Sequence, residues 1–413
     1  MKGFFQLISS AEFYRLFSRF SPLPEEEIAS GDGLGRVVVE NSLKAAEQLP
    51  PFSRSTMDGF AVRARDTFGC SESEPALLDI IGEIAMGRPG TEFTLKPGQA
   101  VHIWTGGELP DKGDGVVMVE YTHLMDSRTV EVFRPVAPGE NVIRAGEDFE
   151  QDAEILPAKR MLRSQDLGVL AGLGITRLNV HRRPRVGIIS TGDELVAPDQ
   201  PLAPGKIRDI NSTTLAALVT EAGGMPKCYG IIEDNLEKML GVCEQALREN
   251  DLLLLSGGSS VGRRDFTLQV LEGLHGSELL AHGVAIRPGK PTLLAARGNK
   301  AVFGLPGHVA SAMVVFYLFV RPLLRLFAGL APTHGLTEIQ VTCREQIPST
   351  IGREEYVRVS LEKDKHDTLP IATPVYGKSG LLRPLVAADG LLVIGRDVEG
   401  LDRNAQARVL LFP

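Results

Sequence analysis

The sequence predicts a multidomain protein of the α/β plus β class, built around one doubly wound α/β domain. The chain has 413 residues, more than a single hydrophobic core usually supports, so three or four compact units are expected. Apolar strands alternate with helices between residues 183 and 330, which is typical of a mostly parallel sheet covered on both faces. Short alternating apolar runs with Gly and Pro turns lie before and after that region and indicate two small β units.

The composition fits a globular protein and narrows the classes of function. Hydrophobic residues make up 43% of the chain and charged residues 23%, enough for several cores. The formal net charge of -8 argues against a protein that binds nucleic acid through a general positive field. Because Cys70, Cys228, Cys243 and Cys343 are scattered without a CxxC spacing, we expect neither a disulfide framework nor a zinc site.

The apolar stretches predict no membrane segment. Residues 1 to 20 carry Glu12, Arg15 and Arg19 at amphipathic helix spacing and lack the apolar core of a signal peptide. The apolar run from Ala310 to Val320 is too short to cross a bilayer, so it predicts a buried helix. We therefore expect a cytoplasmic protein.

The first part of the chain predicts a mainly helical domain interrupted by a β domain. Residues 9 to 47 are predicted to be helical, with Pro24 and the carboxylates Glu25 to Glu27 starting a second helix. Helical spacing returns in residues 146 to 180 and is clearest from Met161 to Gly174. Residues 1–47 and 146–180 are therefore predicted to form one mainly helical domain, interrupted by a small β domain over residues 48–145. The strands predicted in the β domain are Ala76 to Ile81, Ala100 to Trp104, Gly115 to Glu120 and Thr129 to Phe133.

Residues 181–330 are predicted to form the α/β domain, and residues 331–413 a last small β domain. Asn211 and Ser212 are expected to cap the first helix of the α/β domain, which would end near Ala222. The other predicted elements are strand Arg185 to Ile189, helix Leu236 to Glu249, strand Asp251 to Leu255, helix Asp265 to Leu274, strands Thr292 to Ala296 and Lys300 to Gly304, and helix His308 to Ala328.

Three loops lie where a doubly wound sheet binds its ligand, beyond the carboxyl ends of strands. They are Thr191 to Leu195 (TGDEL), Ser256 to Asp265 (SGGSSVGRRD) and Gly304 to His308 (GLPGH). In the second loop, glycines allow backbone N–H groups to close on an anion at a helix N-terminus. Asp265 adds a carboxylate that could hold Mg²⁺ beside a phosphate. A tight strand-to-helix turn without a ligand is the alternative interpretation of this loop.

A cationic turn lies between the second and third loops. Ile286 to Pro291 has the sequence IRPGKP, in which Pro and Gly hold Arg287 and Lys290 in a stiff turn. Two cations placed in this way could bind an oxyanion. A solvated basic turn explains the same residues equally well.

The order of these segments resembles that of the MoeA and gephyrin E-domain family over nearly the whole chain. The matching segments are Ser55 to Ala61 (STMDGFA), Gly146 to Asp148 (GED), Ser190 to Leu195, Gly257 to Asp265, Arg287 to Pro291 and Gly304 to Gly307. The resemblance implies a molybdopterin-binding α/β domain, a split elongated domain, a β domain and a C-terminal β-barrel-like domain. It also implies a homodimer whose site lies between the α/β domain of one subunit and the first two domains of the other.

The resemblance implies a molybdopterin molybdenumtransferase, which takes adenylylated molybdopterin and molybdate and releases AMP with the help of Mg²⁺. The carboxylates that match the family's functional acids are Asp58, Asp148, Glu194, Asp234 and Asp265. Asp265 and Glu194 are the expected metal ligands, and Asp58 is the acid expected to matter most in turnover. Asp148 would give support from the partner subunit, whereas Asp234 could equally be a helix cap.

Two further groups of residues are implied to bind substrate. The pterin nucleotide would contact Thr191, Gly192, Gly257, Gly258, Ser259, Gly262, Pro306 and Gly307. The oxyanion would be bound by Arg287, Lys290, Arg353 and Ser379.

The chain departs from the family pattern at His308-Val309, where the family's GLPGNP turn has Asn-Pro. Three alternatives to the transferase function remain open at this point. They are a paralogue specific for tungstate, a molybdopterin adenylyltransferase, and a non-catalytic pterin-binding scaffold. An adenylyltransferase is the expected partner that hands over the substrate.

Overall fold

The computed structural model describes residues 6–39, 42–257, 266–363 and 369–413. The chain forms two compact units. The larger unit comprises Met1–Glu27, Gly35–Val39 and Asn179–Pro413, and the smaller unit comprises Ile28–Leu34 and Glu40–Leu178.

A six-stranded mixed sheet lies at the centre of the larger unit, and its strands are numbered here in chain order. They are β1 (Arg185–Thr191), β2 (Met225–Ile232), β3 (Leu252–Ser256), β4 (Glu278–His282), β5 (Leu293–Arg297) and β6 (Lys300–Leu305). The order across the sheet is β2-β1-β3-β6-β5-β4. The first four strands of this order are parallel, and β5 is antiparallel to both its neighbours.

Helices cover both faces of this sheet. They are α1 (Asn211–Glu221), α2 (Leu236–Glu249), α3 (Phe266–Gly273), α4 (Val309–Val315) and α5 (Arg321–Phe327). Leu252 and Leu254 of β3 pack in the same buried cluster as α1, α4 and α5, whereas Leu253 and Leu255 pack with α2 and α3. Neighbouring residues of a strand point to opposite faces, so a strand that is apolar throughout requires a cover on both sides. The predicted doubly wound fold is therefore confirmed.

The last helix of the α/β region is continuous and buried. A π-helical stretch, Phe316–Val320, joins α4 to α5. Over Val309–Phe327 this helix is long and apolar enough to cross a membrane, but 78% of its most apolar window is buried inside the protein. A short N-terminal helix, Ser10–Arg15, packs on it, because the fully buried Phe13 ring lies 4.3 Å from the ring of Phe319.

The C-terminal residues of the larger unit form a closed five-stranded barrel, which confirms the β-barrel-like domain that the resemblance implies. Going round the barrel, the strands are Glu354–Glu362, Ile371–Pro374, Glu338–Cys343, Gln406–Leu411 and Gly390–Ile394. The barrel closes because Gly390–Ile394 pairs with Glu354–Glu362 as well as with Gln406–Leu411. A two-residue strand, Ile286–Arg287, pairs in parallel with the start of Glu354–Glu362. Other short elements of this unit are strands Leu195–Val196, Ile207–Arg208, Ile347–Pro348 and Gly400–Leu401, helix Arg383–Val386 and the 3₁₀ helix Leu16–Arg19.

The smaller unit contains a second six-stranded sheet. In order across the sheet its strands are Gly115–Met118, Gly59–Val62, Gln99–Ile103, Ala76–Ile84, Thr129–Val132 and Thr122–Leu124. Buried clusters lie on both of its faces, one around Phe60 and Val117 and the other around Ala61 and Val116. The unit also contains strands Ser42–Lys44, Arg54–Ser55, Val142–Ile143 and Glu154–Pro157 and helix Ser164–Gly172.

The predicted helix that begins at Pro24 is wrong, because Glu25–Ala29 is a strand. The mainly helical character predicted for residues 9–47 and 146–180 is also wrong, because strands Ser42–Lys44, Glu154–Pro157 and Arg177–His181 lie there and Ser164–Gly172 is the one α-helix described in the second range. The carboxylate of Glu26 accepts a hydrogen bond from Arg36 Nη2 at 2.5 Å, and the carbonyl of Pro24 accepts one from the Arg182 N–H at 3.0 Å. The segment around Glu25–Ala29 is therefore bonded to two other segments, at Arg36 and at Arg182, which its local sequence does not reveal. The predicted boundaries of the four domains stay a prediction.

Candidate active site

The carboxyl ends of β1, β3 and β6 border a cavity of about 680 Å³. Seven of the residues singled out in the sequence line it, namely Thr191, Gly192, Glu194, Asp234, Gly257, Pro306 and Gly307. They come from the ends of four parallel strands, β1, β2, β3 and β6, and from the loops that follow them, and the carboxyl ends of these strands meet at one edge of the sheet.

The three loops pack tightly on one another around Gly257. Its φ is +114°, and a Cβ atom there would lie 2.1 Å from the carbonyl oxygen of Thr191. A Cβ atom on Gly307 would lie 3.7 Å from the Gly257 Cα. Only glycine fits a backbone that must adopt this φ and also approach a neighbouring carbonyl so closely.

Two carboxylates lie on the wall formed by the loops after β1 and β2. The buried hydroxyl of Thr191 donates to Asp234 Oδ1 at 2.9 Å, and the Asp234 N–H donates to Asp193 Oδ1 at 3.2 Å. Glu194 is exposed, and its carboxylate lies over Gly192, where an added Cβ would be 2.7 Å from Oε2. The helix cap next to Asp234 is Asn235, whose side chain accepts from the Lys238 N–H. The carboxylate of Asp234 is therefore not the cap of α2.

Asn211 joins two of the loops, a role that the sequence analysis missed. Its Nδ2 donates to Ser256 Oγ at 2.6 Å and to the carbonyl of Gly307 at 2.8 Å. The expectation that Asn211 and Ser212 cap α1 is wrong, because the Ser212 N–H donates to Asp209 Oδ1 at 3.1 Å. The sequence signal for this role was the polar side chain of Asn211 at the start of a helix that follows a strand and a loop. Helix capping explained that position equally well.

The barrel contributes the loop 377–380 to the cavity through Gly380. The carbonyl of Ser379 accepts a hydrogen bond from the Ala310 N–H in the first turn of α4 at 3.1 Å. A Cβ atom on Gly380 would lie 3.5 Å from the ring of His308, which is the N-cap residue of α4 and also lines the cavity. Arg358 Nη2 donates to the carbonyl of Gly377 at 2.6 Å and so fixes the start of this loop.

The four residues expected to bind the oxyanion lie in described parts of the chain, but none of them lines the cavity. Arg287 is ion-paired with Glu355 at 3.1 Å, and that carboxylate also accepts from the Ser349 hydroxyl at 2.8 Å. The Nε of Arg353 is buried and has no hydrogen-bond partner among the described residues. A common pocket formed by Arg287, Lys290, Arg353 and Ser379 stays a prediction.

Asp58 lies in the smaller unit and is exposed. Its Oδ1 accepts two hydrogen bonds from Thr105, one from the hydroxyl at 2.7 Å and one from the backbone N–H at 2.8 Å. These bonds stabilise the charged form and hold the pKa of Asp58 below its ordinary value. The residue after Asp58 must be glycine, because a Cβ atom at Gly59 would lie 1.9 Å from the carbonyl oxygen of Val117. The sequence analysis did not single out Thr105.

Two predicted acids, Asp148 and Asp265, are not placed in the cavity by the described residues. Asp148 is an exposed residue of the smaller unit, where its N–H donates to the carbonyl of Leu49 at 3.0 Å. Asp265, Gly258, Ser259 and Gly262 lie outside the described residues. Within the described ranges there is no group of three or more His, Cys, Asp or Glu residues that could hold a metal ion.

Family models match nearly the whole chain. The MoeA N-terminal region (domains I and II) matches residues 8–174, the probable molybdopterin binding domain matches residues 187–326, and the MoeA C-terminal region (domain IV) matches residues 340–412. The three matches follow one another in the order expected from the sequence segments.

Complete relatives and a solved structure agree with these matches. A protein of Nostoc sp. named molybdopterin molybdenumtransferase is 37% identical over 79% of this chain and 75% of its own length. One of the same name from Bacillus subtilis is 33% identical over 94% of this chain and 90% of its own. The crystal structure of a molybdopterin biosynthesis MoeA protein from Pyrococcus horikoshii is 30% identical, with a TM-score of 0.81 over 98% of this chain and 100% of that one. The chain therefore belongs to the MoeA family.

Proposed function

We propose that the chain is a molybdopterin molybdenumtransferase that inserts molybdate into adenylylated molybdopterin and releases AMP. The observation that carries this proposal is the cavity at the carboxyl ends of β1, β3 and β6 in a member of the MoeA family. The carboxylates of Glu194 and Asp234 and the backbone of Gly307 line this cavity. A phosphoanhydride with its adjoining groups needs a polar cavity of this kind.

In the chemical step, water attacks a phosphorus atom of the anhydride. The bond from that phosphorus to the bridging oxygen breaks, so that one phosphate takes the hydroxyl of the water, the other keeps the bridging oxygen, and AMP and molybdopterin separate with release of one proton to solvent. In the insertion step two Mo–S bonds form to the dithiolene, and one oxygen of molybdate leaves as water with the two thiol protons, so molybdenum keeps its oxidation state. We propose that the turn after β6 and the glycine-rich segment after β3, most of which lies outside the described residues, orient the phosphates through backbone N–H groups, as N–H groups at helix starts bind anions. Thr191 holds the Asp234 carboxylate on the cavity wall at 2.9 Å.

The carboxylates of the cavity suit Mg²⁺, which proteins bind through one or two carboxylates together with substrate phosphates. Glu194 and Asp234 both line the cavity, and carboxylate oxygens are the donors this ion prefers. We propose Glu194 and Asp265 as its ligands, and Asp234, which lines the cavity as Glu194 does, as a supporting carboxylate. When bound, the ion neutralises the charge that develops on the phosphates.

Arg287, Lys290, Arg353 and Ser379 are proposed to bind molybdate, a tetrahedral dianion that requires cationic and hydroxyl donors. The buried Nε of Arg353 supports this assignment, because a buried guanidinium N–H without a partner is costly unless a ligand satisfies it. In this proposal the oxyanion competes with Glu355 for Arg287.

The decisive experiment incubates the purified protein with adenylylated molybdopterin and Mg²⁺ and adds molybdate or tungstate in turn. AMP release that depends on one of the oxyanions supports the transferase and identifies its metal. A second reaction supplies molybdopterin and ATP in place of the adenylylated substrate, and consumption of ATP there, without AMP release in the first reaction, would indicate an adenylyltransferase instead. Tight pterin binding without release of AMP would indicate a scaffold.

Asp58 is proposed as the acid on which turnover depends most, with Asp148 in a supporting role. Asp58→Asn removes the negative charge while keeping the acceptor that Thr105 uses, so the variant should fold normally and lose molybdenum insertion. Full activity in Asp58→Asn, with wild-type thermal unfolding, would remove Asp58 from the mechanism. We further propose a cytoplasmic homodimer that receives its substrate from an adenylyltransferase partner.

A further inference from the structure

Trp104 is the only tryptophan of the chain, and it lies partly exposed beside Asp58. It remains 38% exposed although it directly follows a buried strand of the smaller unit. The next residue, Thr105, makes both hydrogen bonds to the Asp58 carboxylate. In the antiparallel register of the two strands Gly59 faces Ile103 and Phe60 faces His102, so Asp58 and Trp104 are the next residues to face each other, on the same side of the sheet as Phe60 and His102.

The indole of Trp104 is held in place from two sides. Its Nε1 donates to Glu83 Oε1 at 2.8 Å. The ring of His102 meets it edge-on, with 4.7 Å between ring centroids and an interplanar angle of 73°. His102 in turn lies 5.1 Å from the buried ring of Phe60. A side chain ordered in this way loses little freedom when a ligand stacks on it, which favours binding.

The partners of Trp104 are fixed by the sheet. Glu83 and His102 face each other on neighbouring parallel strands, and His102 Nδ1 lies 4.0 Å from Glu83 Oε1. Phe60 pairs with His102 from the strand on the other side. A surface aromatic that only covers the core would not need this set of polar and aromatic supports.

We infer that Trp104 and Asp58 bind the pterin ring of the substrate, with the ring stacked on the indole and its N–H edge directed at the carboxylate. This inference rests on the proposed function, which supplies the pterin. Stacking on an exposed aromatic side chain is a common way to bind a flat heterocycle.

The charge of Asp58 selects the pterin over the other flat ring of the substrate, adenine. A pterin presents a ring N–H next to an exocyclic amino group, so both groups can donate to one carboxylate. Adenine presents a ring nitrogen acceptor next to its amino group, and a carboxylate repels that acceptor. Because hydrogen bonds from Thr105 hold the pKa of Asp58 below its ordinary value, the carboxylate is charged at neutral pH.

The single tryptophan provides a direct test that does not depend on turnover. The full-length protein is titrated with a stable oxidised pterin and, separately, with AMP, while tryptophan emission and the heat of binding are recorded. The pterin should quench the emission with saturation, whereas AMP should not. Quenching by AMP with no heat of binding for the pterin would overturn the assignment to the pterin ring.

Substitution tests whether the indole itself contributes. Calorimetry of Trp104→Ala should show pterin affinity weakened by about ten-fold or more, the usual effect of removing one stacked aromatic side chain. Trp104→Phe should recover part of that affinity, and it guards against a folding defect in the alanine variant. Phe68→Ala is the matched control, because Phe68 is 62% exposed on the same unit, and its pterin affinity should equal that of the wild type.

Three outcomes separate this inference from the proposed function. Unchanged pterin affinity in Trp104→Ala, with normal AMP release by the wild type, would reject the inference and leave the transferase intact. Weakened affinity in Trp104→Ala, with no AMP release by the wild type, would keep the pterin site and reject the transferase. A changed oligomeric state in Trp104→Ala with unchanged affinity would show that a second copy covers Trp104, and would overturn the inference.

Discussion

At the scale of single residues, hydrogen bonds distinguish the carboxylates of this protein from one another. Thr105 lowers the pKa of Asp58 through its hydroxyl and backbone N–H. The pKa of Glu249 is lowered further, to about 2, by hydrogen bonds from Lys227, Tyr229 and Gln245. Glu249 ends α2, whereas the cavity lies at the carboxyl ends of the strands. A perturbed pKa therefore supports a functional role only where the surrounding geometry also does.

The pKa of Asp58 should rise in Thr105→Val, because that substitution removes the hydroxyl donor and keeps the shape of the side chain. A lowered pKa means that the carboxylate stays charged until the pH falls through that value, so activity that needs the charge is lost below it. The acid limb of the kcat/KM profile for AMP release should therefore move to higher pH in Thr105→Val.

The matched control for that substitution is Thr105→Ser, which keeps the hydroxyl and should keep the wild-type profile. An acid limb that stays in place in Thr105→Val would show that Thr105 does not determine the charge of Asp58 during turnover. Because Asp58 is fully exposed, no measurable change in stability is expected from either substitution.

Gly257 should tolerate no side chain. Gly257→Ala forces a Cβ atom to within 2.1 Å of the Thr191 carbonyl at a φ of +114°, so we expect a loss of at least about 2 kcal/mol of stability. Gly241→Ala is the control, since nothing lies within 4 Å of its added Cβ inside α2, and it should stabilise the protein by up to about 1 kcal/mol. Chemical denaturation measures both changes, and equal stability of the two variants would contradict the close approach of the loops.

At the scale of elements, the start of α1 connects the ends of two strands. Asn211 donates from one amide nitrogen to Ser256 at the end of β3 and to Gly307 after β6. The helix that follows β1 therefore ties the three loops of the cavity together. These hydrogen bonds explain why the N-terminus of α1 is part of the cavity wall.

Asn211→Asp keeps the size of the side chain and replaces its donor nitrogen by an acceptor. We expect a loss of about 1–3 kcal/mol of stability, because Gly307 would then face a second acceptor. Affinity for the adenylylated pterin should fall as well, because the hydrogen bonds that hold the loops after β3 and β6 in place are lost. Calorimetry of binding and chemical denaturation measure the two effects.

The control for that prediction is Asn299→Asp. Asn299 also bonds to another segment, donating to the Ser21 carbonyl at 3.1 Å, but it lies in the turn between β5 and β6, away from the cavity. A similar loss of stability with normal pterin affinity is expected there. Equal losses of affinity in both variants would show that the effect is a general one on folding.

Local sequence patterns predicted most elements of the α/β domain, because strands buried on both faces read as apolar runs and helices as amphipathic ones. The predicted bounds of α2 match those observed, Leu236–Glu249. The strand Glu25–Ala29 was missed because Pro followed by three Glu residues is a helix-start pattern, while the strand depends on distant contacts. Strand β2 was not predicted either, and the exposed residues along it interrupt the apolar pattern.

At the scale of the whole molecule, the sequence predicted the part of the cavity at the strand ends. It did not predict the part that the barrel contributes. Parallel strands bring their carboxyl ends together whatever the loop sequences are, so Thr191, Gly257 and Gly307 could be grouped in advance. The barrel loop at Gly380 depends on how the barrel packs on the start of α4, and no local pattern encodes that packing. The same limit explains why Asn211 and Thr105 were not anticipated.

The proposed assembly is a homodimer, which contains two copies of the chain. Sedimentation equilibrium should therefore give twice the 44.6 kDa mass of one chain across a range of protein concentrations. A single-chain mass at concentrations where AMP release is undiminished would contradict a dimer and would make each chain catalytically independent. A mass that falls on dilution together with activity would instead show that both copies are needed to build the site.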